Sequence, residues 1–251
     1  MELQRRDGIG ILLIDGPNTN AIDQDFIDDM NSLLHAAEAD TSLRALVITS
    51  AHPKIFCPGL NLKALVGLPY ERLFEFAGNL TGMVRNEFSF SKPQIAAING
   101  HAIAGGCLVA MGADYRFMAR GKSRIGVLEI DVALPVALGG MAVLEYVMGR
   151  RNVEKAIYSG ELYLPKDALN IGMVDELVEP EGLLDRAVEK ARFLGSKPAA
   201  AFKRDKQYLR AAVIDWIEAR EAKHLKEWVD CWYSKEAQEA LGKVVEQLGT
   251  K

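Results

Sequence analysis

Three stretches of this chain hold groups able to do chemistry. Glu129 is set among Ile125, Val127, Leu128, Ile130 and Val132. Burial in such company disfavours the charged carboxylate, raises its pKa and makes it a stronger base. A surface or ion-paired glutamate at a strand end is the other reading. The second stretch is the turn Asn99-Gly100-His101-Ala102-Ile103-Ala104-Gly105-Gly106-Cys107-Leu108, which runs from one apolar segment into another. Free N–H groups at a helix start carry partial positive charge, and Gly105-Gly106 leave room for a ligand atom to reach them. That suits an oxygen that becomes negative during reaction; equally, the glycines would permit close helix–strand packing. No Gly-Lys-Ser/Thr follows, and the dinucleotide spacing is absent. The third stretch is Phe56-Cys57-Pro58-Gly59-Leu60-Asn61-Leu62-Lys63. Gly59 allows close backbone approach there, although a surface turn leading into a helix fits the same residues. Cys57 has no His or acid beside it and reads as a small apolar residue.

The elements that must position these stretches alternate. Ile9, Ile11, Leu12, Leu13 and Ile14 predict a buried strand ended by Gly16-Pro17. Ile22, Phe26, Met30, Leu33, Leu34 and Ala37 recur at helical spacing. Strands follow at 43–49 and 93–98, with an amphipathic helix through Leu73, Phe76, Ala77, Leu80, Val84 and Phe88 between them. This order predicts an α/β fold with parallel pairing. From Lys197 the pattern is helical, so the chain divides into a core at 1–196 and a helical region at 197–251. In that region Ser234 is placed to cap a last helix bearing Ala237, Leu241, Val244, Val245 and Leu248. Trp216, Trp228 and Trp232 read as core or subunit-interface packing.

With 251 residues, 49% hydrophobic and 25% charged, the chain has the balance of a globular protein. A formal charge of −4 and no basic cluster argue against nucleic acid as a partner. Pro93–Ala113 lacks Asp, Glu, Lys and Arg, yet its Gln94, Asn99, His101 and repeated glycines read as two buried elements around a turn, not as a membrane span. Cys57, Cys107 and Cys231 lack pairing or metal-ligand spacing, and His35, His52 and His224 are scattered. Without an apolar signal segment at the start, these features lead to the expectation of a soluble cytoplasmic protein.

The two glycine turns and the segments downstream of them carry a resemblance. FCPGLNLK at 56–63, KPQIAAINGHAIAGGCLVAMGADYRF at 92–117, RIGVLEIDVALP at 124–135 and SGELYLPKDALNIGMVDELVEP at 159–180 together resemble the crotonase (enoyl-CoA hydratase/isomerase) superfamily over nearly the whole chain. IAGGCLVAMGADYR and the tail segment WYSKEAQEAL look most like its Δ3,Δ2-enoyl-CoA isomerase branch. The resemblance implies a spiral of ββα units followed by a helical C-terminal trimerisation region, assembled as a homotrimer or a hexamer of two trimers.

It further implies an acyl-CoA thioester substrate, with no separate cofactor because coenzyme A is part of that substrate. An oxyanion hole falls on the backbone N–H groups of Leu60 and Gly105. The two glutamates of the family's hydratases fall on position 108, which here is Leu108, and on Glu129. A single acid/base suits isomerisation of 3-enoyl-CoA to 2-enoyl-CoA through a dienolate better than it suits hydration, which is the alternative. Pro58, Gly59, Asn61, Leu62, Lys63, Gly106 and Leu108 are placed at the substrate, with Asn61 standing where the family often has Asp. Lys63 and the loop Asn18–Ala21 are candidate CoA contacts, as are Lys203, Arg204 and Lys206 for its phosphates. Residues 64–88 are expected to shape the acyl pocket, His101 to be structural, and Asp114-Tyr115-Arg116 to support the helix–strand junction. A binding protein that has lost its chemistry is a rival reading, opposed by intact Gly59, Gly105, Gly106 and Glu129.

Overall fold

The computed structural model describes residues 1–249, and the backbone alone at Asn18 and Leu138. The chain opens with an antiparallel hairpin of β1 (Glu2–Arg6) and β2 (Ile9–Ile14). Asp7 and Gly8 form its two-residue turn, both at positive φ as such hairpins require. Next come α1 (Pro17–Asn20), α2 (Gln24–Ala39), β3 (Ala45–Ser50), β4 (Ile55–Cys57), α3 (Leu62–Leu65) and α4 (Tyr70–Ser89). The middle of the chain supplies β5 (Gln94–Ile98), β6 (His101–Ile103), α5 (Gly105–Met111), β7 (Tyr115–Ala119), β8 (Ile125–Gly126) and a 3₁₀ turn at Glu129–Val132. After it stand α6 (Leu138–Met148), α7 (Arg150–Ser159), α8 (Pro165–Asn170), β9 (Glu176–Val178) and α9 (Leu183–Gly195). The helical tail is α10 (Ala199–Glu218), α11 (Glu221–Trp232) and α12 (Lys235–Gly249).

Among the described residues the strands form two sheets, one of order β1-β2-β3-β5-β7-β9 and a smaller one of order β4-β6-β8. Every pairing except β1–β2 is parallel. The ββα spiral expected from the resemblance is therefore present: β3, β5 and β7 enter the large sheet, and β4, β6 and β8, each next in the chain, enter the small one. Ile22, predicted inside the first long helix, lies just before it and forms a bridge with Leu60.

Strand alternation divides the large sheet's faces. Ile9, Ile11, Ala45, Val47, Ile95, Ala97 and Phe117 meet Leu183, Ala187, Val188 and Ala191 of α9 on one side. Leu12, Ile14, Leu46, Ile48, Ala96 and Ile98 face the main core, with α2, α4 and the small sheet. Each such fully buried leucine or isoleucine side chain contributes about 1.5–3 kcal/mol. The tail is bolted to this body by charge: Asp114 Oδ2 receives Lys206 Nζ at 2.7 Å, and Asp114 Oδ1 receives Arg210 Nη2 at 2.7 Å. Asp114 Oδ2 also accepts the Gln94 N–H at 2.8 Å, so its predicted part at the helix–strand junction is visible. Trp228 and Trp232 are buried, whereas Trp216 is 38% exposed. Ser234 Oγ accepts the Ala237 N–H and caps α12, as predicted. Among the described residues, no helix is long and apolar enough to cross a membrane.

Candidate active site

The small sheet is what gathers the chemistry. β4 ends at Cys57, β6 at Ile103 and β8 at Gly126, and these parallel strands lie side by side. The chain leaving each of them therefore emerges at the same edge, the carboxyl ends where parallel sheets commonly bind ligands. Those exits are Pro58-Gly59-Leu60, Ala104-Gly105 and Val127-Leu128-Glu129. The Ala104 N–H donates to the Gly126 carbonyl at 2.8 Å and ties the second exit to the third.

The first two exits touch. Gly59 has φ +95, and a β-carbon there would lie 2.9 Å from the Ile103 carbonyl oxygen and 3.5 Å from the Gly105 nitrogen. This position is closed to side chains on two counts, conformation and space. Ile22 donates to the Gly59 carbonyl, and Asn61 donates to the Ile22 carbonyl, both at 2.8 Å. That pattern turns the Leu60 N–H away from Ile22. Ala104 holds φ 51 and ψ −122, a strained conformation for a residue with a β-carbon, and it immediately precedes Gly105 at the start of α5. Among the described residues neither the Leu60 nor the Gly105 N–H has a hydrogen-bond acceptor.

Glu129 begins the 3₁₀ turn. The residue keeps partial exposure, but its Oε2 is buried and accepts no hydrogen bond. Burial pushes its pKa up to about 7, against the pull of the Glu129 and Leu128 backbone N–H groups. Its charge is felt by the buried Cys107 thiol on α5, two residues past Gly105. Cys107 and Cys57 are both buried, and desolvation pushes each thiol up, Cys57 to about 12. Both behave as apolar fillers.

The other expected site residues separate into groups. Pro58 and Gly106 flank the touching exits, and Gly106 packs on the Cys57 backbone. Leu108 is buried in the main core against Gly140 of α6, where any β-carbon would stand 2.3 Å from Leu108 Cδ1. Asn61 donates to Asp23 Oδ2 at 3.0 Å, and Asp23 in turn caps α2 through the Phe26 N–H. Leu62 packs on the core. Lys63 Nζ donates to the Leu248 carbonyl at 2.9 Å, so it caps the end of α12. From the 64–88 segment, Leu65 is buried and Val66, Leu68, Tyr70 and Phe74 line the core half-buried.

The three tail cations are not brought together. Lys206 is buried with Asp114, burial draws its pKa down to about 8, and a CoA phosphate cannot reach it without breaking that pair. Arg204 lies over the Tyr208 ring, and Lys203 lines a different hollow beside Arg44 and Lys92. His101 accepts the Arg124 N–H through Nδ1, the structural part expected of it. Asp131 is exposed. The side chain of Asn18 lies outside the described residues. Among those described, no His, Cys, Asp and Glu cluster is arranged to hold a metal ion.

One residue of the loop Asn18–Ala21, expected as a candidate CoA contact, is instead a buried structural clamp. Asn20, buried and at φ +69, donates from Nδ2 to Ser50 Oγ at 2.7 Å and to the Phe56 carbonyl at 3.1 Å. Its carbonyl accepts the Cys57 thiol. It thereby fixes the end of β4 from which the first exit departs. A polar residue able to adopt a left-handed conformation, just after Gly16-Pro17, was the available signal.

The chain matches the family model described as enoyl-CoA hydratase/isomerase over residues 4–250. It is 32% identical over 230 residues to enoyl-CoA delta isomerase 1, mitochondrial, of Rattus norvegicus, covering 88% of this chain and 78% of that protein. It is also 27% identical over 248 residues to the short-chain-enoyl-CoA hydratase of Clostridium acetobutylicum, covering 98% and 94%. The crystal structure of human mitochondrial delta3-delta2-enoyl-CoA isomerase aligns with a TM-score of 0.95 at 25% identity, covering 99% of this chain and 98% of that one. A ββα spiral that delivers two free N–H groups and one buried carboxylate to a single sheet edge thus coincides with a match along nearly the full sequence, and the chain belongs to the enoyl-CoA hydratase/isomerase family.

Proposed function

We propose that this acyl-CoA enzyme shifts a double bond from C3 to C2 of a 3-enoyl-CoA, with Glu129 as sole acid and base. The thioester carbonyl accepts the N–H groups of Leu60 and Gly105. Ionised Glu129 removes a proton from C2; the C2–H electrons move into the thioester and leave a dienolate whose oxygen those N–H groups stabilise. Protonated Glu129 then returns the proton at C4 as the double bond settles between C2 and C3. A carboxyl drawn up to about 7 suits both halves, being substantially ionised at neutral pH and strongly basic when it is.

The observation that carries this reading is the identity of position 108. A second acid there would serve to hold and activate water, and Leu108 is instead apolar, buried and wedged against Gly140. Hydration is the second reading because a hydratase stands among the relatives at 27% identity. Exposed Phe193, Tyr208 and Leu209 on α9 and α10 support self-association, proposed as a trimer or a hexamer of two trimers. All three cysteines are free, which fits a reducing compartment such as the cytoplasm.

The test is an absorbance assay with 3-hexenoyl-CoA, watching conjugated thioester appear, with crotonyl-CoA in parallel and E129Q as control. Conjugation that vanishes in E129Q is expected. Loss of crotonyl-CoA absorbance without any action on 3-hexenoyl-CoA assigns the hydratase instead.

A further inference from the structure

The Glu129 turn sits in an irregular stretch, Val127–Ala137, between β8 and α6. Its internal bonds are local: Asp131 N–H to Leu128, Ala133 N–H to Ile130 and Leu134 N–H to Glu129, the last at 3.0 Å. Short 3₁₀ segments hold themselves poorly, and the Glu129 carboxylate has no side-chain partner to fix it. Beyond the Leu128 and Glu129 backbone N–H groups of the turn itself, the aim of this base depends on what holds the whole stretch in place. Among the described residues, the hydrogen bond reaching this stretch from a helix elsewhere is donated by Trp228 of α11, whose Nε1–H meets the Pro135 carbonyl at 3.0 Å.

That donor is itself held firmly. Trp228 is 7% exposed and packs on Trp232, with ring centroids 5.4 Å apart. α11 is pinned to α4 at both ends, by Arg85 to Glu221 at 2.6 Å and by Tyr70 Oη to Asp230 at 2.8 Å. The mechanical link runs from the indole to the Pro135 carbonyl, through the Leu134–Pro135 peptide bond, and by the Leu134 N–H to Glu129. We propose that Trp228 is a positioning residue for the reaction: its indole N–H tethers the stretch carrying Glu129 and keeps that carboxylate aimed and dry.

The electrostatic surroundings make the tether readable. Asp131 shares the turn and points towards Gly160 at the end of α7, and the Glu129 charge adds to the burial that raises the Cys107 thiol of α5. No charged side chain of α7 or α12, the helices packed on the turn, contributes to the raised pKa of Glu129, which comes from burial. A turn released from Trp228 admits water, and the carboxyl pKa falls towards its ordinary value.

The kinetic arm of this inference rests on the isomerase reading; the titration arm does not. In the full-length protein, Trp228 is replaced by benzothienylalanine, an isostere without the N–H, and separately by W228F, with W232F as a packing control. The carboxyl titration of Glu129 is followed by difference infrared spectroscopy, assigned with E129Q, alongside kcat, KM and their pH profiles. Both Trp228 variants are expected to lower the Glu129 midpoint by about half a unit or more and to cut kcat roughly tenfold with KM within about twofold. W232F is expected to leave the midpoint in place. An unmoved midpoint in the benzothienylalanine protein overturns the inference, even if thermal stability drops. A midpoint that moves in a protein whose wild type leaves 3-enoyl-CoA untouched removes the isomerase reading and keeps the tether.

Discussion

Gly106 lies so close to Cys57 that a β-carbon on it would stand 2.0 Å from the Cys57 carbonyl oxygen. The start of α5 and the end of β4 are thus in backbone contact, and the two free N–H groups inherit their spacing from it. G106A cannot relieve that overlap by rotating a side chain, because the obstacle is main chain. It is expected to cost stability at the upper end of the about 1–3 kcal/mol typical of overpacking and to lower kcat at least tenfold. Chemical denaturation and the 3-hexenoyl-CoA assay check the two effects.

Glu129 predicts an acid limb. With a pKa of about 7 in the free enzyme, kcat/KM falls as pH drops below that value, because the base becomes protonated. A profile flat down to pH 5 contradicts this assignment.

The same residue makes a stability prediction with a defined sign. Between the ordinary value of 4.5 and about 7 the folded chain holds the Glu129 proton more tightly than the unfolded chain does. Stability is therefore lost as pH rises through that window, by at most about 3 kcal/mol. E129Q is expected to be more stable than wild type at pH 8, with the gain fading towards pH 4.5. Urea titrations at the two pH values measure it.

L108E places a second acid on α5, in the company of Gly140. It is expected to raise turnover of crotonyl-CoA, at a cost of a few kcal/mol for burying a carboxyl without a designed partner. No gain in hydration weakens the link drawn between position 108 and the type of reaction.

Asp114 carries two buried cations, Lys206 and Arg210. D114A leaves both unpaired and is expected to destabilise by about 3–5 kcal/mol, loosening α10 first. Hydrogen exchange confined to α10 and its neighbours is the readout.

Much of this arrangement was legible in the sequence, and the remainder had physical reasons to stay hidden. β2, β3 and β5 are apolar runs long enough to announce themselves, and α4 repeats its buried residues with helical period through Leu73, Phe76, Leu80 and Val84. β4, β6 and β8 span only Ile55–Cys57, His101–Ile103 and Ile125–Gly126. Two or three residues carry no measurable periodicity, although these strands position the site. The glycines of both turns stood out by type; the groups they approach, the Ile103 and Cys57 carbonyls, depend on pairing distant in sequence. Lys206 illustrates the opposite limit. A lysine on a polar helix reads as solvent-facing, and only the position of Asp114, far back in the chain, puts it inside.

The proposed oxyanion donors, Leu60 and Gly105, contribute peptide N–H groups and not side chains. Substitution at either position leaves the donor chemically intact as long as the backbone holds its path. Stabilisation of a negative thioester oxygen would in this sense depend on main-chain packing, as at Gly59 and Gly106, whereas the acid chemistry depends on the side chains at positions 108 and 129. Under the proposed mechanism those two positions are the natural place to begin redirecting the reaction, with L108E as the first trial.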